Sequence, residues 1–460
     1  MHPAIEQASY WLATRREYTP SPSLPGDARA DIVIVGGGFT GLWTSLFLKE
    51  LAPGAEVAVL EQAMLGYGGS GRNAGQVSGG IDHSHKLAIA HFGKDEARRM
   101  ARIGLQNLDE LAQFIRERGI ACDFERVGQL SVALTPAHVN DARDLVAAAA
   151  ELGVDGVRFL SAEETRAELK SPLYLAAVSD PGWGTVNPIK LVDGLKREAE
   201  RLGVKFFERT RVSGFERAAT QIRVRAASGA VSADKVVLAT DAYTHHVFPQ
   251  LLRWFIPVYD YVLVSEPLTA QQLAEIGWRH RQAVVDFRTF FNYYGLTADN
   301  RILWGTSEAM YYAPNRVEAA CDHSERHYAA LRESFRRHFL QLAGLKWEYA
   351  WGGPIASTTR LTPFFGTLEG GRLLYGLGYT GLGVASSRLA GRILAHMALE
   401  KPSELLDLTI VRKKPFPYPP EPLRRLAVDA VTNSLRRVDA GAKPGVLLKT
   451  LDALGIGFSS

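Results

Sequence analysis

The chain has 460 residues, long enough for two or three domains around a large core, and its 46% hydrophobic and 22% charged content is that of an ordinary globular protein. A net charge of +4 spread along the sequence argues against nucleic-acid binding, and no apolar run reaches the ~18 residues needed to span a membrane. Two cysteines, Cys122 and Cys321, rule out a disulfide scaffold, offer no metal-ligand spacing, and predict a reducing, cytoplasmic location.

Residues 1–30 read as a proline-rich surface arm with no secretory signal. Ile32 to Val35 is a β-branched apolar run, predicting a buried parallel strand. Gly36, Gly38 and Gly41 follow as G-x-G-x-x-G, then a helical pattern through Leu42, Leu46, Leu48 and Leu51 that stops at Pro53. Val57 to Leu60 is a second strand, ending at Glu61. The three glycines allow a tight turn, a close approach to a pyrophosphate and close helix–strand packing. The helix N-terminus faces the phosphates, and the acid can accept hydrogen bonds from a ribose. Strand, glycines, helix, strand and acid in register predict a dinucleotide site.

A second glycine-rich stretch covers residues 66–80, with Ser70, Arg72 and Asn73 as its polar members. It reads as a wall of the same site or as a mobile loop. A helix over 95–118, a strand over 128–134 and a helix over 136–152 look like a separate unit inserted after it. At Asn187-Pro188 an N-cap and a first-turn proline start another helix. Strands are predicted at 204–207, 222–226 and from Lys235 into Thr240, the kind of strand end where an α/β sheet places a ligand. Residues 255–312 are rich in aromatic and β-branched residues and predict antiparallel strands. Near the C-terminus, a strand over 373–376, the turn Gly378-Tyr-Thr-Gly-Leu-Gly383 and a helix over 384–399 offer a second helix N-terminus to the ligand. The tail from 411 on reads as a strap with a short amphipathic stretch at Val446, Leu447, Leu451 and Leu454.

Four of these places, in this order, resemble the D-amino-acid-oxidase superfamily of FAD enzymes: the Gly36 to Glu61 unit, the Gly68 to Gly75 loop, the Thr185 to Pro188 helix start and the Gly376 to Gly383 turn. SGRNAG, YYGLTADNRILWG, WGG and GLGYTGLG resemble its γ-glutamylputrescine-oxidase-like branch. The resemblance implies an α/β fold, α+β overall: a Rossmann-like FAD-binding domain (31–90, 180–250 and 346–410) and a substrate domain on an antiparallel sheet (91–179 and 251–345). Residues 411–460 would form the strap.

By the same resemblance, Gly36 to Gly41 would hold the FAD pyrophosphate and Glu61 the ribose. Phe39, Thr40 and Gln62 would stand beside them. Gly69, Ser70, Arg72, Asn73, Ala74, Gly75 and Gln76 would line the phosphates and flavin, with Val212 and Thr240 nearby. Gly378, Thr380, Gly381, Leu382 and Gly383 would face the flavin's pyrimidine edge. Ser357 to Arg360 and Arg72 to Ala74 carry no cysteine or histidine for covalent attachment, so FAD is expected to be non-covalent.

The implied activity is oxidation of a small amine's C–N bond, with oxygen or a carrier as acceptor. A dehydrogenase acting on a 2-hydroxy acid or glycerol phosphate, and a non-catalytic flavoprotein, are the rival readings. Candidate substrate contacts are Arg360, Tyr294, Tyr261, Tyr259, Trp351, Arg288 and Tyr379, with His83 and His85 after the cofactor loop. Arg360 is the expected anchor for a carboxylate or phosphonate, because a guanidinium pairs two oxygens at once. Many superfamily members carry arginine where this chain has Gly295, and no lysine lies around Trp304 to activate oxygen.

Overall fold

The computed structural model describes residues 9–218, 220–453 and 456. The predicted fingerprint forms β1 (Ala28–Val35), α1 (Phe39–Leu51) and β2 (Val57–Leu60). β1 and β2 run parallel, with Val35 opposite Leu60. Strands 229–238 and 373–377 extend the parallel sheet on one side and 205–207 on the other. Val33, Ile34, Val59 and Val236 are fully buried, as expected for strands covered on both faces. A hairpin over 212–217 and 222–226 adds antiparallel strands, of which the sequence pattern signalled only the second.

A second eight-stranded, mostly antiparallel sheet is built around β3 (Ile256–Pro267), β4 (Asn292–Leu296), β5 (Arg301–Met310) and β6 (Trp347–Ser357). Its order is β6, β3, β5, β4, then 283–286, 129–133, 176–180 and 158–160. Side chains alternate between faces. Tyr259, Tyr261, Tyr294 and Trp304 point to one face, where Phe335 and Phe339 complete an aromatic core. The other face looks toward the first sheet.

Two expected boundaries move. β6 pairs along β3 from Ile256 opposite Ser357 to Ser265 opposite Trp347, so 347–357 joins the second sheet. Helix Lys94–Glu117 shares the core of the first sheet: Leu108 and Leu111 lie in one cluster with Leu42 and Leu394, and Phe114 meets Trp43 edge-on at 5.0 Å. Helix α2 (Gly383–Ala398) packs on α1 so closely that a Cβ on Gly391 would sit 2.6 Å from Trp43 Cβ.

The tail contains a helix that the sequence pattern did not announce, α3 (Leu423–Asp439). A shorter helix, Val446–Ala453, covers most of the predicted amphipathic stretch, while Leu454 lies outside the described residues. No helix among the described residues is long and apolar enough to cross a membrane.

Candidate functional site

A cavity of about 930 Å³ is walled by residues of both sheets. At its first end stands the fingerprint. Gly36 has φ +111°, and a Cβ there would lie 2.4 Å from the Ala239 carbonyl oxygen. Gly38 caps α1 without a side chain, which leaves the positive end of the helix dipole open to the cavity beside Phe39 and Thr40. Gly41 lies behind the wall, where a Cβ would meet Gly36 O at 2.0 Å; its role is to let helix and strand touch. Glu61 and Gln62 reach the wall from the end of β2. Glu61 accepts hydrogen bonds from Gly37 N at 2.8 Å and Ala63 N at 2.9 Å. Burial raises its carboxyl pKa, and those two N–H groups oppose the rise.

The second glycine stretch is a wall, not a loose loop. Gly69–Gly71 form a 3-10 turn, and Ser70 Oγ accepts from Phe39 N at 2.8 Å, tying the turn to α1. Asn73 accepts from Gly75 N at 2.8 Å and donates to Ser70 O at 2.9 Å, so it shapes the turn as well as facing the cavity. Gly69, Ala74 and Gln76 also line it, while Gly75, at φ +68°, sits behind it against Val186 O. Arg72 pairs with Asp322 at 2.9 Å and donates to Tyr67 O at 3.1 Å, yet its buried Nη2 has no partner. Two indoles hold the loop from behind: Trp351 donates to Arg72 O at 2.9 Å and Trp11 to Asn73 O at 2.7 Å.

The third wall is the turn before α2. Asp241 accepts from Gly378 N at 3.0 Å and fixes the turn, with Gly378 at φ +88° just behind the surface. Burial pushes the Asp241 carboxyl up to about 6. Thr380 holds φ +49°, strained for a side chain with a branched Cβ, and faces the cavity with Gly381, Leu382 and Gly383. Leu382 caps α2 without a side-chain bond, so a second helix N-terminus opens on the cavity. Val212 and Thr240 complete this part of the wall. His83 Nε2 lies 2.8 Å from Thr380 O; a carbonyl only accepts, so Nε2 carries the proton. Burial lowers the pKa of His83 and of His85, and both rings face the cavity.

These residues fit FAD. Two uncapped helix ends, the side-chain-free Gly36 and Gly38 on the cavity wall, and the orphan Nη2 of Arg72 are the donors and space that a dinucleotide's phosphates and a flavin's carbonyl edge require.

The substrate contacts expected from the sequence fare differently. Tyr379 does line the cavity, sharing a 2.7 Å hydrogen bond with Thr40 Oγ1. Arg360 does not. Its guanidinium donates to Thr362 Oγ1 at 2.9 Å, Lys413 O at 3.2 Å and Pro363 O at 3.4 Å, and lies over the Phe92 ring. Burial lowers its pKa to about 10, with Asp82 opposing. Through the Lys413 carbonyl it clamps the start of the tail. Arg288 is spent on Asp286, with Nε and Nη2 at 2.8 and 2.6 Å. Tyr294, bonded to Tyr174, and Tyr261, bonded to Cys321 O at 2.8 Å, belong to the aromatic core, as does Tyr259. Trp351 is a loop support.

The sheet face toward the cavity carries their neighbours instead. Val258, Asp260 and Val262 of β3, Tyr293 of β4, and Ser307 and Ala309 of β5 form this wall. Phe290 and Phe291 continue it, and Val431 and Leu435 of α3 close it from the tail. Asp260 was signalled only as a charge inside an apolar strand run, and α3 by no motif at all.

A family model described as "FAD dependent oxidoreductase" matches residues 31–397. The γ-glutamylputrescine oxidoreductase of Escherichia coli is 30% identical over 416 residues, covering 90% of this chain and 93% of its own. A probable oxidoreductase OrdL of Haemophilus influenzae is 30% identical over 398 residues, 85% of this chain and 88% of its own. Among solved structures, glycine oxidase from Geobacillus kaustophilus superposes with a TM-score of 0.68 at 21% identity, covering 84% of this chain and 99% of that one.

Proposed function

The chain belongs to the FAD-dependent oxidoreductase family, and from that premise we propose that it oxidises the C–N bond of a small amine to an imine, which water converts to a carbonyl product and a released amine. The observation that carries this reading is the continuity of one cavity from the fingerprint glycines to the inner face of the second sheet. FAD bound there supplies the acceptor for the two electrons and the hydrogen leaving the α-carbon. The chain's own part is to hold the amine neutral and oriented and to keep water out. The apolar wall of Phe290, Phe291, Val431 and Leu435 suits that task, and no acid–base dyad is needed. An anionic group on the substrate has no support at Arg360.

FAD is held without a covalent bond in this reading. Neither cysteine lines the cavity, and His83 uses its Nε2 proton on Thr380 O. Acid precipitation then leaves the flavin in the supernatant; flavin that pellets with the polypeptide contradicts it. Oxygen or an electron carrier reoxidises the cofactor. Cys122 and Cys321 are both buried and unpaired, which suits a cytoplasmic location. The activity is tested by turning over a panel of amines with a carbonyl trap present. Equimolar carbonyl and released amine support it, and turnover confined to 2-hydroxy acids without nitrogen release overturns it.

A further inference from the structure

Among the described residues, five carboxylates besides Asp260 face the cavity. Glu61 and Asp241 receive backbone N–H groups of the cofactor walls. Asp180 receives Gly182 N and the Trp183 indole, Asp286 holds Arg288, and Asp82 receives His83 N on Oδ1 while its buried Oδ2 lies 3.5 Å from His91 Nδ1 without a hydrogen bond. Asp260 is different. Its Oδ1 accepts from the neighbouring Tyr261 N at 2.8 Å and its Oδ2 from the Tyr293 hydroxyl at 2.7 Å. Among the described residues it forms no ion pair. The half-buried carboxylate stands on a mostly apolar wall, with Val258, Val262, Ala309, Ser307 and aromatic rings around it.

The backbone around it is built to bring Tyr293 there. Tyr293 is on β4 and Asp260 on β3, with β5 between them. The residue of β5 opposite Tyr293 is Gly305, and a Cβ on it would lie 2.2 Å from the tyrosine ring. The ring therefore lies flat across the middle strand, and its hydroxyl reaches the carboxylate beyond. On the other side, Asp260 faces Gly353 of β6, which is packed against Arg72 of the cofactor loop. Arg72 is itself neutralised by Asp322. A carboxylate oriented by a tyrosine, in an apolar wall and without a counter-ion, costs folding free energy unless something positive meets it.

We propose that Asp260, oriented by Tyr293, receives a protonated nitrogen of the substrate, so that the cavity selects cationic amines. The inference rests on the amine-oxidation reading for its ligand class, but not for its test. The nitrogen is either the reacting amine on entry, which passes its proton to the Asp260 carboxylate and becomes the neutral amine that is oxidised, or a second ammonium farther along the molecule.

The test uses holoenzyme and calorimetric titration with tert-butylammonium, whose nitrogen-bearing carbon has no hydrogen and so cannot be oxidised. Its neutral isostere, tert-butanol, is the control, at matched ionic strength. The expected result is ammonium binding at least about tenfold tighter than the alcohol, and an Asp260→Asn variant that loses about that factor for the ammonium alone. Tyr293→Phe loses part of it. Asp260→Asn should melt no lower than the parent, because a desolvated charge has been removed while the amide oxygen still accepts from Tyr261 N and the amide NH2 donates to the Tyr293 hydroxyl oxygen. Unchanged ammonium affinity in Asp260→Asn, or equal losses for ammonium and alcohol, overturns the proposal. If Asp260→Asn does not fold, the same comparison in Tyr293→Phe decides it. Turnover then separates the two sources: a kcat/KM loss confined to diamines identifies the second nitrogen, and a loss shared by monoamines identifies the reacting one. Failure of every amine to turn over would sink the amine-oxidation reading and leave the binding result standing.

Discussion

Tyr379 and Thr40 share a 2.7 Å hydrogen bond between side chains 339 residues apart in sequence. It joins the N-terminal turn of α1 to the turn before α2. Two helix ends from opposite parts of the chain thereby face one cavity at a fixed spacing. Both side chains are buried, so neither oxygen can turn to outside solvent when the other is removed.

Tyr379→Phe should therefore weaken FAD binding more than its lost volume suggests. A buried hydroxyl left unpaired costs about 1–2 kcal/mol, or roughly 5- to 30-fold in Kd. Titrating FAD into apoprotein by fluorescence quenching measures it. An unchanged Kd would mean that the bond does not set the spacing of the two helix ends.

Arg360 gives a prediction of the opposite kind. Its three hydrogen bonds go to Thr362, Pro363 and Lys413, so Arg360→Ala should cost about 2 kcal/mol or more in stability. The ratio of kcat/KM for an anionic amine to that for its uncharged analogue should stay within about twofold, far below the change expected for a lost ion-pair anchor. A selective collapse on the anionic amine would restore Arg360 to the site.

The tail helix should matter for substrate and not for cofactor. Asp439, at the end of α3, accepts from Thr289 N at 2.8 Å and Phe290 N at 2.9 Å, pinning the segment that carries Phe290 and Phe291. Arg436 adds an ion pair to Glu308 at 2.7 Å. Asp439→Ala removes two charge-assisted bonds, so KM for the amine should rise about 5- to 30-fold with FAD content unchanged. Loss of FAD with KM preserved would place the tail's role elsewhere.

Asp260 should leave a mark on the pH dependence of stability. Burial pushes its carboxyl from the ordinary value near 3.8 to about 7, with the Tyr293 hydroxyl and Tyr261 N–H opposing. Between those values the folded chain keeps a proton that the unfolded chain has released, so stability falls as pH rises through the window. The melting advantage of Asp260→Asn over the parent should thus grow from about pH 4 to about pH 7 and level off above. A difference that stays flat across this range would show that Asp260 ionises normally in the fold.

The fingerprint end of the cavity was legible in the sequence because its signals are local. Gly36, Gly38 and Glu61 fall within one strand–helix–strand unit, and Asn187-Pro188 is an N-cap with its first-turn proline. The substrate end was legible only as a sheet. The residues expected to touch substrate there, Tyr259, Tyr261 and Tyr294, all point into the aromatic core with Phe335 and Phe339. Asp260 and Tyr293, their immediate neighbours, face the cavity. A strand's side chains alternate, so an error of one residue exchanges core for site, and aromatic content on both faces hides the parity. Arg360 misled for a related reason: its distance from the cavity depends on the Lys413 carbonyl, supplied by a tail with no readable motif.

Oxidation of C–N bonds in an FAD-loaded cavity is read by anaerobic reduction of the bound flavin in a stopped-flow cell. Primary and secondary amines would be compared with 2-hydroxy acids of the same carbon chain. The oxidised-flavin band should bleach in a substrate-dependent step with at least one amine, with the carbonyl product formed one for one with flavin reduced. Bleaching by a hydroxy acid and by none of the amines would contradict it.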